Sequence, residues 1–384
     1  NNLEEEWPRI YGGDGFQMAF HPFLENTFFA ETQNGNIVVT NDGGDFWDSA
    51  TNGIDGEDRR NWDMQYILSP HNPEVFYTGT YRVYQGANSS FPDWFPISED
   101  LTDGLVLHPR YHSITCINES PLEEGQLYVG TTDGNVWRSS PTGSGWTSIN
   151  EGLPDRYVSD VKPSPDFVDG VYASMSAYKD YDFSPYIYRS MDRGESWESI
   201  AGDLPNLSIN DMYIYPNTGD SILFVATDGG VYATIDAGTE WHRLGTNMPF
   251  VAANDLEVNF VNNELVVGTY ARSINVYPLD SLFSVNGEDP VANQNLAVLE
   301  ADLQLTPNPS SGQTQLSWQN LATDKTQLQV FDNQGRMVWS TEFIPAATQG
   351  RQQINLPEHL TAGMYILRVS QGKKIKALQM NLID

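Results

Sequence analysis

Thr40-Asn41-Asp42-Gly43-Gly44-Asp45-Phe46-Trp47 returns twice along the chain, as Ser190-Met191-Asp192-Arg193-Gly194-Glu195-Ser196-Trp197 and as Thr234-Ile235-Asp236-Ala237-Gly238-Thr239-Glu240-Trp241. Each copy opens on a hydroxyl residue, carries Asp third and Gly fifth, and ends on Trp. A fourth copy, Ser139 to Trp146, keeps Gly143 and Trp146 but has Pro141 in the Asp place. With Trp94 added, Trp47, Trp94, Trp146, Trp197 and Trp241 stand 47, 52, 51 and 44 residues apart. Folding chemistry accounts for these residue types. A turn aspartate accepts backbone N–H groups. Glycine takes a conformation that strains other residues. Tryptophan buries a large ring where strands meet. Asp42, Asp192 and Asp236 are therefore read as structural, with Gly44, Gly194, Gly238 and the tryptophans.

Each repeat reads as a series of short strands. Asp211 to Tyr215 and Ser221 to Ala226 are two of them. Asn34-Gly35, Asp133-Gly134 and Asp228-Gly229 sit between β-rich runs, where two-residue hairpins with positive φ are expected. A period near 50 residues with strands inside it predicts an all-β fold, a β-propeller. Six first strands begin near Gly15, Asp63, Ser113, Asp160, Asp211 and Asp255, which predicts six blades. The sixth repeat lacks its outer strand. Trp7-Pro-Arg-Ile10 matches Trp94 to Ile97, Trp146 to Ile149, Trp197 to Ile200 and Trp241 to Leu244. The N-terminal strand is thus expected to complete the last blade and close the ring; the competing reading makes it the remnant of an earlier blade.

The octet resembles the Asp-box of the BNR-type repeats found in sialidases, sortilin-type receptors and secreted bacterial propellers. Past Asp302 the style changes to closely spaced alternating strands, which predict a small immunoglobulin-like β-sandwich. Pro307-Asn308-Pro309 with Gly312, Val330 to Gly335, Gly363 with Tyr365, and a Lys-rich last strand occur there in order. These motifs resemble the type A C-terminal sorting domain of the type IX secretion system of the Bacteroidetes lineage. The resemblance implies transit of the periplasm and export across the outer membrane to the cell surface or the medium. It also implies translocon, shuttle and sortase components as partners of residues 301–384. The expected domains are a propeller over 1–282, a linker over 283–300 and the sorting sandwich over 301–384.

Charge is lopsided. Residues 1–300 carry 45 acidic and 13 basic side chains, and residues 301–384 carry 6 and 7. Such acidity disfavours nucleic acid and anionic membrane surfaces as partners. No run approaches a membrane helix in length. The single cysteine, Cys116, lies in an apolar stretch and reads as a buried hydrophobe.

Three aspartates follow a proline by six residues: Asp160 after Pro154, Asp211 after Pro205, Asp255 after Pro249. With Asp14, Asp63 and His112 they form a candidate ring at the channel mouth that could hold a cation such as Ca²⁺. The alternative is that each caps its own loop. No other cofactor is expected. A sialidase needs an arginine triad and a tyrosine nucleophile, and Pro8-Arg9-Ile10 matches that pattern poorly. No catalytic constellation is legible. The leading expectation is a non-catalytic module binding a glycan or a surface protein through loops such as Asp55 to Trp62 and Tyr178 to Tyr186. The alternative is a carbohydrate-active enzyme using channel-mouth carboxylates.

Overall fold

The computed structural model describes residues 10–87, 91–104, 112–140, 145–245, 248–279, 282, 297–299, 301–308, 310–331, 337–357, 360, 363–372 and 374–382. Among them the structure is all β apart from one 3-10 turn, Tyr178–Asp180. Residues 1–201 and residues 202–384 form two compact units.

The first unit holds four antiparallel meanders of four strands each. They start at Met18–Phe20, Tyr66–Leu68, Ile114–Glu119 and Tyr157–Pro163, near the positions the repeat predicted. In each, neighbouring strands in sequence are neighbours in the sheet, the pattern short connections favour. The second strands Phe28–Thr32, Leu127–Thr131 and Val171–Ser176 are buried at every residue. A strand covered on both faces reads as a continuous apolar run, which is why alternation is weak in this sequence.

The tryptophan period has a concrete cause. Trp47 Nε1 donates to the Ile10 carbonyl at 3.1 Å, Trp94 to Ala50 at 2.7 Å, Trp146 to Ile97 at 3.1 Å and Trp197 to Ile149 at 2.8 Å. Every acceptor lies three residues beyond the preceding tryptophan. Where that tryptophan is Trp47, Trp94 or Trp146, the acceptor's own N–H bonds the third strand of its sheet: Ala50 to Ile37, Ile97 to Val83, Ile149 to Val136. One residue per repeat therefore links its own sheet to the next indole. Ile10 fills the acceptor place for Trp47, as the match of residues 7–10 to the outer strands requires. Trp7 to Arg9 fall outside the described residues, so the expected closure of the ring falls there too.

The octet turn is built alike in its three full copies. Thr40, Ser190 and Thr234 donate their hydroxyls to Asp42, Asp192 and Asp236 at 2.7–2.8 Å. The same hydroxyls accept the N–H of Gly44, Gly194 and Gly238. The aspartates then accept the N–H of Phe46, Ser196 and Glu240. The three glycines have φ between 85° and 105°. Gly143 of the fourth copy is outside the described residues.

The hairpins depart from expectation. Only Asn34-Gly35 has positive φ at both turn residues. Asp133-Gly134 is a longer turn, with Thr131 N–H bonded to Asn135 O and the positive φ confined to Gly134. At Asp228-Gly229 the positive φ moves on to Gly230. Loops one residue longer, or with the glycine shifted, carry the strand twist by a single left-handed residue.

The second unit holds a four-stranded meander, Ile209–Ile214 to His242–Arg243, and a three-stranded one, Ala253–Asn259, Glu264–Thr269 and Ile274–Pro278. A sandwich follows. Its three-stranded sheet joins Asp302–Thr306, Gln313–Gln319 and Gly350–Asn355. Its five-stranded sheet includes Thr326–Phe331, Met337–Phe343, Gly363–Gln371 and Lys374–Leu382. Its fifth strand, Ala297–Val298, pairs in parallel with Lys374 and Ile375, so the sandwich begins inside the stretch expected to be linker. Leu316, Leu328, Val330, Ile354, Leu367 and Val369 form its core. Phe331 stacks on Phe260 of the preceding meander at 6.1 Å, with Arg368 over the Phe331 ring at 5.0 Å.

Trp94 is 4% exposed and supplies the donor for a buried carbonyl. Trp94→Phe is expected to lower the urea midpoint by an amount equivalent to about 1–3 kcal/mol. Phenylalanine keeps most of the ring but leaves the Ala50 carbonyl unbonded. An unchanged midpoint would show that the indole N–H does not hold neighbouring sheets together.

Candidate functional site

The loop from Asp55 to Trp62 is fastened to three of the sheets. Asp58 accepts from Thr80 Oγ1 at 2.9 Å, from Arg82 Nε and Nη2 at 3.0 Å each, and from the Tyr84 hydroxyl at 2.6 Å. Burial pushes the Asp58 carboxyl up, but the Arg82 fork with Tyr84 and Thr80 outweighs burial and holds it below the usual carboxylate range. Arg59 Nε donates to the His112 carbonyl at 3.0 Å, and its Nη2 reaches Asp100 at 2.7 Å. Asn34 N–H donates to the Trp62 carbonyl at 2.9 Å, tying the loop to the first sheet.

Beneath this last link lies Glu31, 1% exposed. Its Oε1 accepts the N–H of Gly35 at 3.1 Å and of Met64 at 2.9 Å, so one carboxyl pins the Asn34-Gly35 turn and the chain after Trp62. Asp63 faces it. Burial raises the Glu31 carboxyl well above its usual value, and Asp63 adds to this against the two N–H bonds; burial raises Asp63 too. Two apposed carboxyls out of water retain a proton between them.

Above the loop opens a cavity of about 610 Å³. The 55–62 loop supplies Arg59, Arg60, Asn61 and Trp62 to its wall, and the fourth sheet supplies Tyr157, Ser176, Lys179 and Asp180. Both loops singled out in the sequence thus reach one cavity. Trp62 is 55% exposed although a tryptophan. Tyr178, Tyr181 and Phe183 are also exposed, on the segment that carries Lys179. Tyr181 is 90% exposed and sits at φ 59°, a left-handed conformation unusual for a bulky residue. Burial pushes the Tyr157 hydroxyl up to about 12.

Four of the six candidate channel-mouth residues, Asp63, His112, Asp160 and Asp211, have partners near at hand. Asp63 belongs to the Glu31 pair. His112 Nδ1 lies 3.1 Å from Asp133. Asp160 bonds Lys162 at 3.1 Å and the Asn118 amide at 3.2 Å. Asp211 accepts the Leu256 N–H at 2.8 Å. Asp160, Asp211 and Asp255 each follow a register shift in their strand. The recurring aspartate thus goes with a β-bulge of the first strand. Asp14 and Asp255 are exposed. Among the described residues no three acidic, His or Cys side chains are placed to share a metal ion. His21 caps its own turn, accepting from Phe23 and Leu24. Cys116 is buried, and burial raises its thiol. Glu31, Arg60 and Lys179 escaped the sequence reading. A lone Glu in a strand, or single cations in acidic loops, carry no local pattern.

In the tail, the motif residues fasten the last strand. Asn308 Nδ2 donates to the Gln379 carbonyl at 2.9 Å, and Asn308 Oδ1 accepts the Asn381 N–H at 2.8 Å. The Pro307 carbonyl accepts from Thr314 at 2.7 Å. Gly312 takes φ 90°, Tyr365 is buried, and Gly363 opens its strand. Pro309 and Gly335 lie outside the described residues. The family described as secretion system C-terminal sorting domain matches residues 304–382.

The tail is a type IX sorting domain. It directs export across the outer membrane to the cell surface or the extracellular space. Among the described residues no helix is long and apolar enough to cross a membrane. An oligoxyloglucan-reducing end-specific xyloglucanase of Emericella nidulans is 23% identical, over 56% of this chain and 27% of its own. PorZ, a surface component of the type-IX secretion system of Porphyromonas gingivalis, superposes with TM-score 0.51 at 14% identity, over 97% of this chain and 60% of its own. A GH74 enzyme of Niastella koreensis superposes with TM-score 0.50 at 13% identity, over 94% and 58%. The chain spans about a quarter of the curated relative and under two thirds of either structure. At these identities the likeness shows the fold, which is of β-propeller type.

Two outcomes are expected. Native protein holds a proton at Glu31 and Asp63 that the unfolded chain releases above about pH 4.3. The stability from this pair is full below that pH and is lost as pH rises through the raised native value. Thermal midpoints should therefore fall more steeply toward alkaline pH in the natural chain than in Glu31→Gln, whose amide keeps the N–H bonds without the proton; equal slopes would exclude a shared proton. Deleting residues 301–384 should leave the protein in the periplasm, as fractionation would read; normal surface delivery would contradict the sorting role.

Proposed function

We infer that this exported propeller protein is a non-catalytic module that binds a saccharide in the cavity between the 55–62 loop and the Tyr178–Asp180 segment. The observation that carries this reading is Trp62. It is a large aromatic face left open at the rim of a polar cavity by a loop that is itself tightly fastened. Sugar rings present apolar C–H faces that stack on such a surface, while surrounding hydroxyls bond Asn, Ser and charged side chains. A fixed loop lowers the ordering cost of binding. The xyloglucanase among the relatives acts on a polysaccharide, which supports a saccharide over a protein ligand.

Hydrolysis would require two carboxyls flanking the scissile bond, one kept protonated. Three carboxylates line the cavity, Glu57, Asp58 and Asp180, and Asp58 is committed to Arg82, Thr80 and Tyr84 and held ionised. Glu31, whose carboxyl burial raises, is 1% exposed and is not part of the cavity wall. These features favour binding without turnover.

A glycan array with the full-length chain, followed by calorimetry on the best hit, tests this. Trp62→Ala should weaken binding at least tenfold, the range of a central aromatic contact. Release of reducing sugar from the bound glycan would replace the binding reading with the hydrolase one. Full affinity in Trp62→Ala would move the site elsewhere.

A further inference from the structure

Residues 10–201 hold nine described basic side chains. Seven have a carboxylate within 4.0 Å: Arg59, Arg82, Arg138, Arg156, Lys162, Arg189 and Arg193. In so acidic a domain that is the default, because any exposed cation finds an anion nearby. The two without a carboxylate partner among the described residues are Arg60 and Lys179. Both line the cavity beside Trp62.

Their surroundings keep them available. Arg60 gives one Nη2 bond to the Asp55 carbonyl at 2.8 Å, while its Nε is buried with no acceptor. Lys179 holds its ammonium 5.1 Å from the Tyr157 ring centre and 5.7 Å from that of Tyr178. Two aromatic faces orient a cation without neutralising it.

The geometry points to a saccharide carrying an anionic group as the ligand of this cavity, its carboxylate or sulfate meeting Arg60 and Lys179 while a sugar ring lies on Trp62. This rests on the saccharide-binding reading and narrows it. The charge balance of residues 1–300 limits the ligand further. A long polyanion would meet repulsion from the rest of the domain and from Glu57, Asp58 and Asp180 in the cavity wall, whereas a single charge can sit directly on the two cations. A saccharide with one or few charges fits best.

The test uses the full-length chain and three probes: a tetrasaccharide ending in glucuronate, the same tetrasaccharide with that carboxyl reduced to the alcohol, and its sulfated counterpart. Calorimetry in 0.15 M salt should show a charged form binding at least tenfold tighter than the reduced form. Arg60→Gln and Lys179→Gln should each shrink that ratio at least threefold, and Lys179→Arg should preserve it. Preference for the sulfated over the glucuronate probe supports the proposal and assigns sulfate as the group. Equal affinity for charged and reduced forms overturns it and leaves the saccharide reading standing, which Trp62→Ala then tests separately. A charge preference that survives Arg60→Gln combined with Lys179→Gln also overturns it. No binding by any probe removes both readings.

Discussion

An indole N–H bonded to a carbonyl three residues past the previous tryptophan is the link from which the N-terminal unit is assembled. The carbonyl belongs to a residue whose own amide closes its sheet, so each link joins the edge of one meander to the tryptophan that opens the outer strand of the next. At Trp94, 4% exposed, water cannot replace the acceptor, which makes the bond directional as well as cohesive, while Trp47 shares its N–H between the Ile10 and Gly44 carbonyls. The octet serves it. The hydroxyl, the aspartate and the left-handed glycine fold six residues so that the tryptophan arrives with its N–H aimed at the neighbouring sheet.

This scaffold lets a functional loop be rigid without being buried. The 55–62 loop spends Asp58 on Arg82, Thr80 and Tyr84, Arg59 on His112 and Asp100, and its Trp62 carbonyl on Asn34. What it leaves exposed is much of the Trp62 ring, whose edge contact is with Phe16, and part of the Arg60 guanidinium. Those are the groups facing the cavity. The tail follows the same economy: Asn308 is committed to the last strand, so the motif that marks the sorting domain also closes its sheet.

The repeat, the strand positions and the tail were legible because each rests on local chemistry. A turn that needs left-handed backbone selects glycine, and a strand closed by an octet begins at a countable distance. The channel-mouth reading of Asp160 and Asp211 took a recurring residue for a shared site. Their carboxylates instead bond nearby lysine, amide and backbone groups at bulges, and a bulge is invisible in sequence because it depends on how two strands register. The turns at Asp133-Gly134 and Asp228-Gly229 departed from the expected form for a similar reason, while Asn34-Gly35 kept it. Asp-Gly states that a turn occurs, while the partner strand decides its length.

From the sequence alone came the all-β repeat, the structural character of Asp42, Asp192 and Asp236, and the export signal, since each is written in residues close together along the chain. Only the tertiary structure decided that Glu31 and Asp63 face each other out of water, where burial raises both carboxyls. It also decided that two loops about 120 residues apart meet over one cavity, and that Arg60 and Lys179, alone among the described cations of residues 10–201, have no carboxylate within 4.0 Å among the described residues. Pairing, burial and charge compensation are properties of neighbours in space, and the order of residues along a chain does not record them.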